Sequence, residues 1–377
     1  MSEWKEYKLG DIAEILDFKR KPLSSMKRST RKGIYPYYGA SGIIDNIDDY
    51  IFEGEHVLIS EDGENLRTRQ TPIAFLANGK FWVNNHAHIV KSDYVHNRLI
   101  CYYFAQLDLN PYITGAVQPK LSQESLNKIP IYLPISIDER NKIVRVLSSL
   151  DEKIDLLHRE NATLEALAET LFRHYFIENP NPEWKEGKVS DIAIHCKESI
   201  SPQKHSDEIF LHYSIPAYDN GKCPTEEQGQ NIQSNKYVIP QKSILFSKLN
   251  PHKDKRVWLM LDDVQTNAIC STEFQIVKPQ NDQWLYFLYE WLTYKENYDE
   301  IASGVSGTSG SHQRIDPKVI FENGCPIADD FTLEQYNTKV KPMFEKIKSN
   351  QQQMQTLTTQ RDILLPRLMS GEVKVGE

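Results

Sequence analysis

The chain has 377 residues, 40% of them hydrophobic and 25% charged, a composition that excludes a disordered or low-complexity protein and fits a soluble globular one. That length implies two domains of ordinary size, each able to bury its own core. The formal charge of −8 argues against a uniformly basic nucleic-acid binder, because phosphate contacts fall mainly to Lys and Arg.

The first residues, MSEWKEYKLG, lack the basic-then-apolar layout of a signal peptide, and no apolar run approaches the roughly 18 residues a bilayer demands. A cytoplasmic protein is expected. From Phe18 to Ile44 there is no acidic residue, while Lys19, Arg20, Lys21, Lys27, Arg28, Arg31 and Lys32 crowd together. Short β-type runs follow, broken by turn residues, as in HVLIS before EDGEN. NRLICYYFAQL then reads as an amphipathic helix packed on a sheet, and TGAVQPKLSQ as a polar loop. A heptad pattern comes next through Ile143, Leu147, Leu150, Ile154, Leu157, Asn161, Leu164, Ala168, Leu171 and Tyr175.

The chain then begins again. Residues 183–193, EWKEGKVSDIA, match residues 3–13, EWKEYKLGDIA, at eight of eleven positions with a displacement of 180 residues. Two copies of domain-sized period indicate an internal duplication rather than a solenoid. The second half repeats the order of elements: SILFS before KLNP, a basic run at Lys248, His252, Lys253, Lys255 and Arg256, a helix at QWLYFLYEWL, and a loop at SGVSGTSGSHQRI. It closes on a second heptad series, Val340, Met343, Ile347, Asn350, Met354, Leu357, Arg361, Leu364 and Leu368. Capping-box spacing marks the helix starts at Ser136 with Glu139 and at Thr332 with Gln335. Pro342 and Pro366 fall inside the second series and predict kinks or a late start. The domains are thus placed at 1–135 and 179–330, with helices over 136–178 and 331–377.

The expected fold is α+β, two mixed α/β domains separated by a long antiparallel two-helix coiled coil, with pseudo-two-fold internal symmetry. A helix from Ile143 to Tyr175 runs roughly 48 Å at 1.5 Å per residue. DNA shares local two-fold symmetry, so such a body places two readers on one duplex, and 48 Å corresponds to about fourteen base-pair steps at most. The polar loops of the two halves differ, which implies two unlike half-sites.

Side chains able to pair with base edges or phosphates nominate the readers. In the first domain these are Lys19, Arg20, Lys27, Arg28, Tyr38, Ser41, Asn65, Arg67, Arg69, Gln70, Asn84, Asn85, His86, Gln118 and Lys120. In the second they are Lys248, Asn250, His252, Lys253, Ser311, His312, Gln313 and Arg314. No catalytic or metal-binding set is nominated. The G-x-x-x-x-G-K-[ST] phosphate loop is missing, and the five cysteines, Cys101, Cys196, Cys223, Cys270 and Cys325, form no C-x-x-C pair and read as buried or incidental thiols. Asn110-Pro111-Tyr112 lacks the second proline of a methyltransferase N-P-P-[FY] motif and reads as a turn. The adjacent acids Asp48 and Asp49, and Asp262 and Asp263, read as solvated loop residues without a nuclease-like partner. Two other readings remain: a free-standing coiled-coil DNA-binding regulator, and a single-chain methyltransferase, which the missing cofactor loop opposes.

Over nearly its whole length the chain resembles the specificity subunits of type I restriction-modification systems. YPYYGASGIID and FWVNNHAHIV resemble one class of target-recognition domain in that family, and SILFSKLNP and CSTEFQIVKP another. LSSLDEKIDLLHRENATLEALAETLFRHYF resembles the family's first conserved helix and ILLPRLMSGEV the end of its second. The resemblance implies a non-catalytic DNA-binding subunit. It implies two modification subunits carrying S-adenosylmethionine-dependent adenine methylation, and restriction subunits carrying ATP- and Mg-dependent translocation and cleavage.

Overall fold

The computed structural model describes residues 3–115, 117–306 and 313–375. The chain forms two compact units, Met1–Ile154 with Leu357–Glu377, and Asp155–Thr356.

The first unit contains β1 (Trp4–Lys8), α1 (Leu9–Ile12), β2 (Glu14–Ile15), α2 (Ser25–Ser29), β3 (Lys32–Gly39), β4 (Gly42–Ile47), β5 (Phe52–Glu53), β6 (His56–Ser60), α3 (Asn65–Thr68), β7 (Ala74–Ala77), β8 (Lys80–Val83), β9 (Ala87–Lys91), α4 (Tyr94–Gln106), α5 (Gln123–Lys128), β10 (Pro130–Pro134) and the start of α6 (Ile137–Phe172). All five residues of β6 are buried, as a strand covered on both faces requires. It is central to an antiparallel sheet ordered β2-β9-β6-β7. A second sheet, β4-β3-β8-β5, contains the parallel pair β3 and β8. Asp93 caps α4 by accepting from the Val95 and His96 N–H groups, and Leu99, Ile100 and Phe104 of that helix join the core of Val57 and Ile59.

The second unit contains the rest of α6, then β11 (Lys185–Lys188), α7 (Val189–Ile192), β12 (Ala193–Cys196), β13 (Ser199–Ile200), β14 (Ile209–Tyr213), α8 (Ile215–Asp219), β15 (Thr225–Gln228), β16 (Lys236–Val238), β17 (Ser243–Ser247), β18 (Val257–Met260), β19 (Ala268–Cys270), β20 (Phe274–Pro279), α9 (Leu285–Thr293), α10 (Lys295–Ser303), β21 (Val305–Ser306), β22 (Arg314–Ile315), α11 (Pro317–Glu322), β23 (Gly324–Ile327) and most of α12 (Asp330–Met369). Its sheets repeat the first unit's plan. The order β12-β20-β17-β18 matches β2-β9-β6-β7, and β13-β16-β19-β14-β15 matches β5-β8-β3-β4 with one added edge strand, the parallel pair now being β14 and β19.

The duplicated EWKE segment has the same job in both units. Its strand pairs antiparallel with the last strand before a long helix, Trp4 opposite Pro134 and Lys185 opposite Ile327. The following turn is closed identically, the Lys8 N–H donating to Asp11 Oδ2 at 2.9 Å and the Lys188 N–H to Asp191 Oδ2 at 2.8 Å.

The heptad positions of both long helices are buried or half-buried throughout, and the helices pair antiparallel within each unit. In the first, Ile143 and Leu147 share a core with Leu365 and Leu368, Leu364 packs against it, and Arg361 Nη1 meets Asp151 Oδ1 at 3.2 Å. In the second, Leu164, Leu171 and Met343 flank a core containing Ala168, Phe172, Val340 and Ile347, while Phe176 meets Tyr336 edge-on at 5.0 Å. Leu150, Ile154, Met354 and Leu357 are half-buried, and Leu157 is fully buried.

Two local expectations are corrected. Helix α12 begins at Asp330, before Thr332, because Asp329 is the better cap: its carboxylate accepts the Thr332 N–H at 2.8 Å and the Thr332 hydroxyl at 3.0 Å. Neither Pro342 nor Pro366 delays or ends that helix, which runs through both because packing along the seam outweighs the lost donors. The adjacent acids are exposed, as expected, and also ion-paired: Asp48 and Asp49 with Arg31, Asp262 with Lys242, and Asp263 with Lys348. Ser136 does cap α6, accepting the Glu139 N–H at 3.4 Å, and Asn110–Tyr112 is a turn in which Asp108 accepts from Asn110. All five cysteines are unpaired, with burial pushing the Cys101 and Cys325 thiols up to about 12. Among the described residues no helix is long and apolar enough to cross a membrane.

Two buried polar groups in the second unit give measurable consequences. Asn350 Nδ2 donates to Asn161 Oδ1 at 2.8 Å and to Glu160 at 2.9 Å in the middle of the seam. Asn350→Leu alone leaves Asn161 without that partner and is expected to cost about 1–3 kcal/mol in denaturant titrations, whereas the double change to Leu recovers most of the loss. Glu290 of α9 is raised to about 8, first by burial and then by the charge of Glu169, against the opposing pull of Lys255. Its acid is protonated in the fold while the unfolded chain releases that proton near pH ~4.3, so stability falls as pH rises from there to about 8. Glu290→Gln should raise the melting temperature at pH 8 and change it least at pH 5.

Candidate nucleic-acid interface

The central strand of each unit ends on a serine, Ser60 in β6 and Ser247 in β17, and the chain beyond it must find partners for its backbone polar groups. In the first unit the Glu61 N–H donates to His86 O at 2.9 Å, the Leu121 N–H to Glu61 O at 2.7 Å, and the Gly63 N–H to Pro119 O at 3.1 Å. In the second the Lys248 N–H donates to Glu273 O at 2.9 Å, the Ile315 N–H to Lys248 O at 3.0 Å, and the Asn250 N–H to Gln313 O at 2.9 Å. These are the same three bonds at matching positions. Both turns need a left-handed residue, Gly63 at φ 106° and Asn250 at φ 47°, a region that glycine and asparagine tolerate best.

This frame gathers candidates that lie far apart in sequence. Asn84 donates its N–H to Tyr38 O at 3.0 Å, and the Ser60 hydroxyl donates to Ala40 O at 2.6 Å, drawing in the turn that carries exposed Ser41. Asn84 is buried and its Oδ1 accepts the His86 N–H, leaving Asn85 and His86 exposed, with His86 Nδ1 2.8 Å from Asp62. Tyr38 is half-buried, its ring edge-on to Phe81 at 5.6 Å, and burial raises its hydroxyl pKa. Gln118 and Lys120 are exposed, and Lys120 Nζ lies 3.2 Å from Glu61.

Arg20 reaches the same place, donating to Ala87 O at 2.9 Å and pairing with Glu61 and Asp17. Asp17, Glu61 and His88 bring possible metal ligands within 4.8 Å of one another, but their charge is met by Arg20 and Lys120, and His88 bonds Asp17 through Nδ1 and Leu121 O through Nε2. Burial works to raise the Asp17 carboxyl, yet His88, the Ile89 N–H and Arg20 together hold it below the usual range. The set reads as a structural ion cluster that fixes three loops.

Other candidates lie elsewhere. Asn65 exchanges two hydrogen bonds with the Thr71 backbone, and Arg67 donates to Gly115 O at 3.0 Å. Arg69 sits at φ 51° and turns its guanidinium onto the C-terminal carbonyls of α4, Ala105 O at 2.9 Å and Leu107 O, while Gln70 beside it is exposed. Arg28 pairs with Asp45 and Leu23 O, whereas Lys19 and Lys27 are exposed.

In the second unit, Lys248, Asn250, Gln313 and Arg314 form one patch, in which Asn250 Oδ1 accepts the Gln313 N–H at 3.1 Å and Glu273 holds Arg314 at 2.9 Å. His252 and Lys253 follow on the same turn and are exposed; Ser311 and His312 lie outside the described residues. Sequence reasoning missed Asp17, Glu61, His88 and Glu273. Aligning HVLIS with SILFS places Glu61 opposite Lys248 and was the one available signal.

Comparison with known proteins agrees with this duplicated plan. Residues 1–166 match the family model for the type I restriction modification DNA specificity domain. A putative type I restriction enzyme specificity subunit of Haemophilus influenzae is 31% identical over 260 residues, 65% of each chain, so the match spans just under two thirds of that protein's length. The type I restriction enzyme MjaIX specificity subunit of Methanocaldococcus jannaschii is 27% identical over 361 residues, 84% of this chain and 78% of that one. The crystal structure of a type I restriction-modification system S subunit from M. genitalium has the same fold, with a TM-score of 0.63 at 15% identity over 97% of this chain and 96% of that one. None of these three is named as a free-standing regulator or a methyltransferase. Residues 1–166 thus carry the type I restriction modification DNA specificity domain, and the chain is similar to type I restriction-modification specificity subunits over most of its length.

Proposed function

We propose that the chain is the DNA-reading, non-catalytic subunit of a type I restriction-modification complex acting in the cytoplasm, each unit taking one half of a split, asymmetric target. One observation carries this reading: two units share a loop frame bond for bond while presenting different side chains from it, Glu61, His86 and Lys120 in one, Lys248, Glu273 and Arg314 in the other. Equal frames with unequal side chains suit two short sequences that differ. The long helices set the spacer between half-sites and dock two modification subunits. S-adenosylmethionine, ATP and Mg2+ belong to the modification and restriction subunits. The charge of −8 fits such an assembly, in which partners supply much of the phosphate contact and this subunit supplies base contacts.

The full chain, expressed with its modification subunit in a host lacking adenine methylation, should produce a methylated motif of two unlike halves separated by unspecified bases, readable by methylation-sensitive long-read sequencing. A contiguous or palindromic motif would overturn the reading, as would methyl transfer by the isolated chain. Arg69→Ala is a useful contrast. Loss of its bonds to the carbonyls of α4 should lower stability by about 1.5–3 kcal/mol yet leave the motif unchanged, because that side chain faces the fold.

A further inference from the structure

Within each frame one cation occupies the residue just before the strand-end bond from Leu121 or Ile315. It is Lys120 in the first unit and Arg314 in the second. Both are bridged in backbone register to the residue two beyond the strand-end serine, Lys120 with Asp62 and Arg314 with Leu249. Both are partly exposed, and each is held by a carboxylate from the frame. The duplication therefore makes them counterparts although their surrounding sequences share almost nothing.

Their chemistry differs. Arg314 offers Nε and Nη2 to Glu273, at 3.0 and 2.9 Å, so one edge of the guanidinium is fixed by a carboxylate. Glu273 is itself fixed, its carbonyl accepting the Lys248 N–H and its own N–H reaching Ser271 Oγ at 3.3 Å. Five N–H groups lie in one plane on a guanidinium, and the Glu273 side uses the Nε edge. The remaining end, Nη1 with the second Nη2 hydrogen, is a two-donor fork of the spacing that guanine O6 and N7 accept. Lys120 is a point charge with three rotating donors, held by one contact at 3.2 Å, and has no such fork.

We propose that Arg314 reads a guanine in the half-site of the second unit, that Glu273 is its positioning residue, and that Lys120 is the less selective counterpart in the first unit. This rests on the DNA-reading role assigned above and adds the residue, the base and the asymmetry between the halves.

The test uses the full chain with its modification subunit. Arg314→Gln and Arg314→Lys should each make one guanine position of one half-motif degenerate, with discrimination reduced about tenfold or more, and leave the other half unchanged. Glu273→Gln should relax the same position, which loss of fold would not do selectively. Lys120→Gln should affect only the other half. Because a variant can fail to assemble, the wild-type complex is also tested on duplexes carrying 7-deazaguanine, which lacks the N7 acceptor, at each guanine in turn. One position in the Arg314 half should weaken binding about tenfold. If no guanine of that half is sensitive, or if an active Arg314 variant keeps every guanine requirement, the inference is overturned. A wild-type complex without a split motif would instead overturn the function on which it rests.

Discussion

The backbone groups at the end of a fully buried strand must be hydrogen-bonded, and this constraint organises both units. Strands β6 and β17 are covered on both faces, so the chain leaving them meets no solvent until it has passed the edge of the sheet. Its first N–H and C=O are satisfied by segments from elsewhere in the unit, and those segments bring the loops that carry Asn85, His86 and Lys120, or Glu273 and Arg314. Recognition surface and core satisfaction are therefore one problem with one solution. Side chains on the frame are free to differ because main-chain atoms make the bonds that hold it.

Much of this plan is legible in the sequence. The repeated EWKE phrase marks the start of each unit, and the strand it leads into closes the unit by pairing with the last strand before a long helix. The heptad rhythm is legible because a seam repeats its demand every seven residues, and the polar positions Asn161, Asn350 and Arg361 are answered in place by each other, by Glu160 and by Asp151. The helix start after Asp329 was not legible, since Thr332 and Asp329 both offer capping oxygens and only the fold shows Asp329 accepting both the Thr332 N–H and its hydroxyl. Prolines 342 and 366 suggested a late start that does not occur, the helix of forty residues running through both.

Candidate reading residues can be nominated from the sequence by type but not sorted by place. Polar side chains in loops all look alike in one dimension, and nothing in the sequence separates Arg69, which turns back onto the carbonyls of α4, from Lys120, which is exposed. Glu61 and Glu273 escaped notice because acids are poor candidates for contact with a polyanion. Their role is indirect, one meeting Arg20 and Lys120, the other bracing Arg314. A frame that holds cations in place needs carboxylates, and these acids add to the net charge of −8.

The division of the chain between units has a consequence for its synthesis. Strand β1 has no partner until β10 is made, so at about 5–20 residues per second the first unit waits roughly 6–26 s to close its ribbon. Even then it is incomplete, because Leu365, Leu368 and Met369, which seal its core beside Ile143 and Leu147, follow the whole of the second unit in the chain. The second unit has nearly all its residues first. The half of the protein that leaves the ribosome earliest is thus the last to finish, and until then it presents an open apolar flank to whatever chaperone or nascent neighbour is at hand.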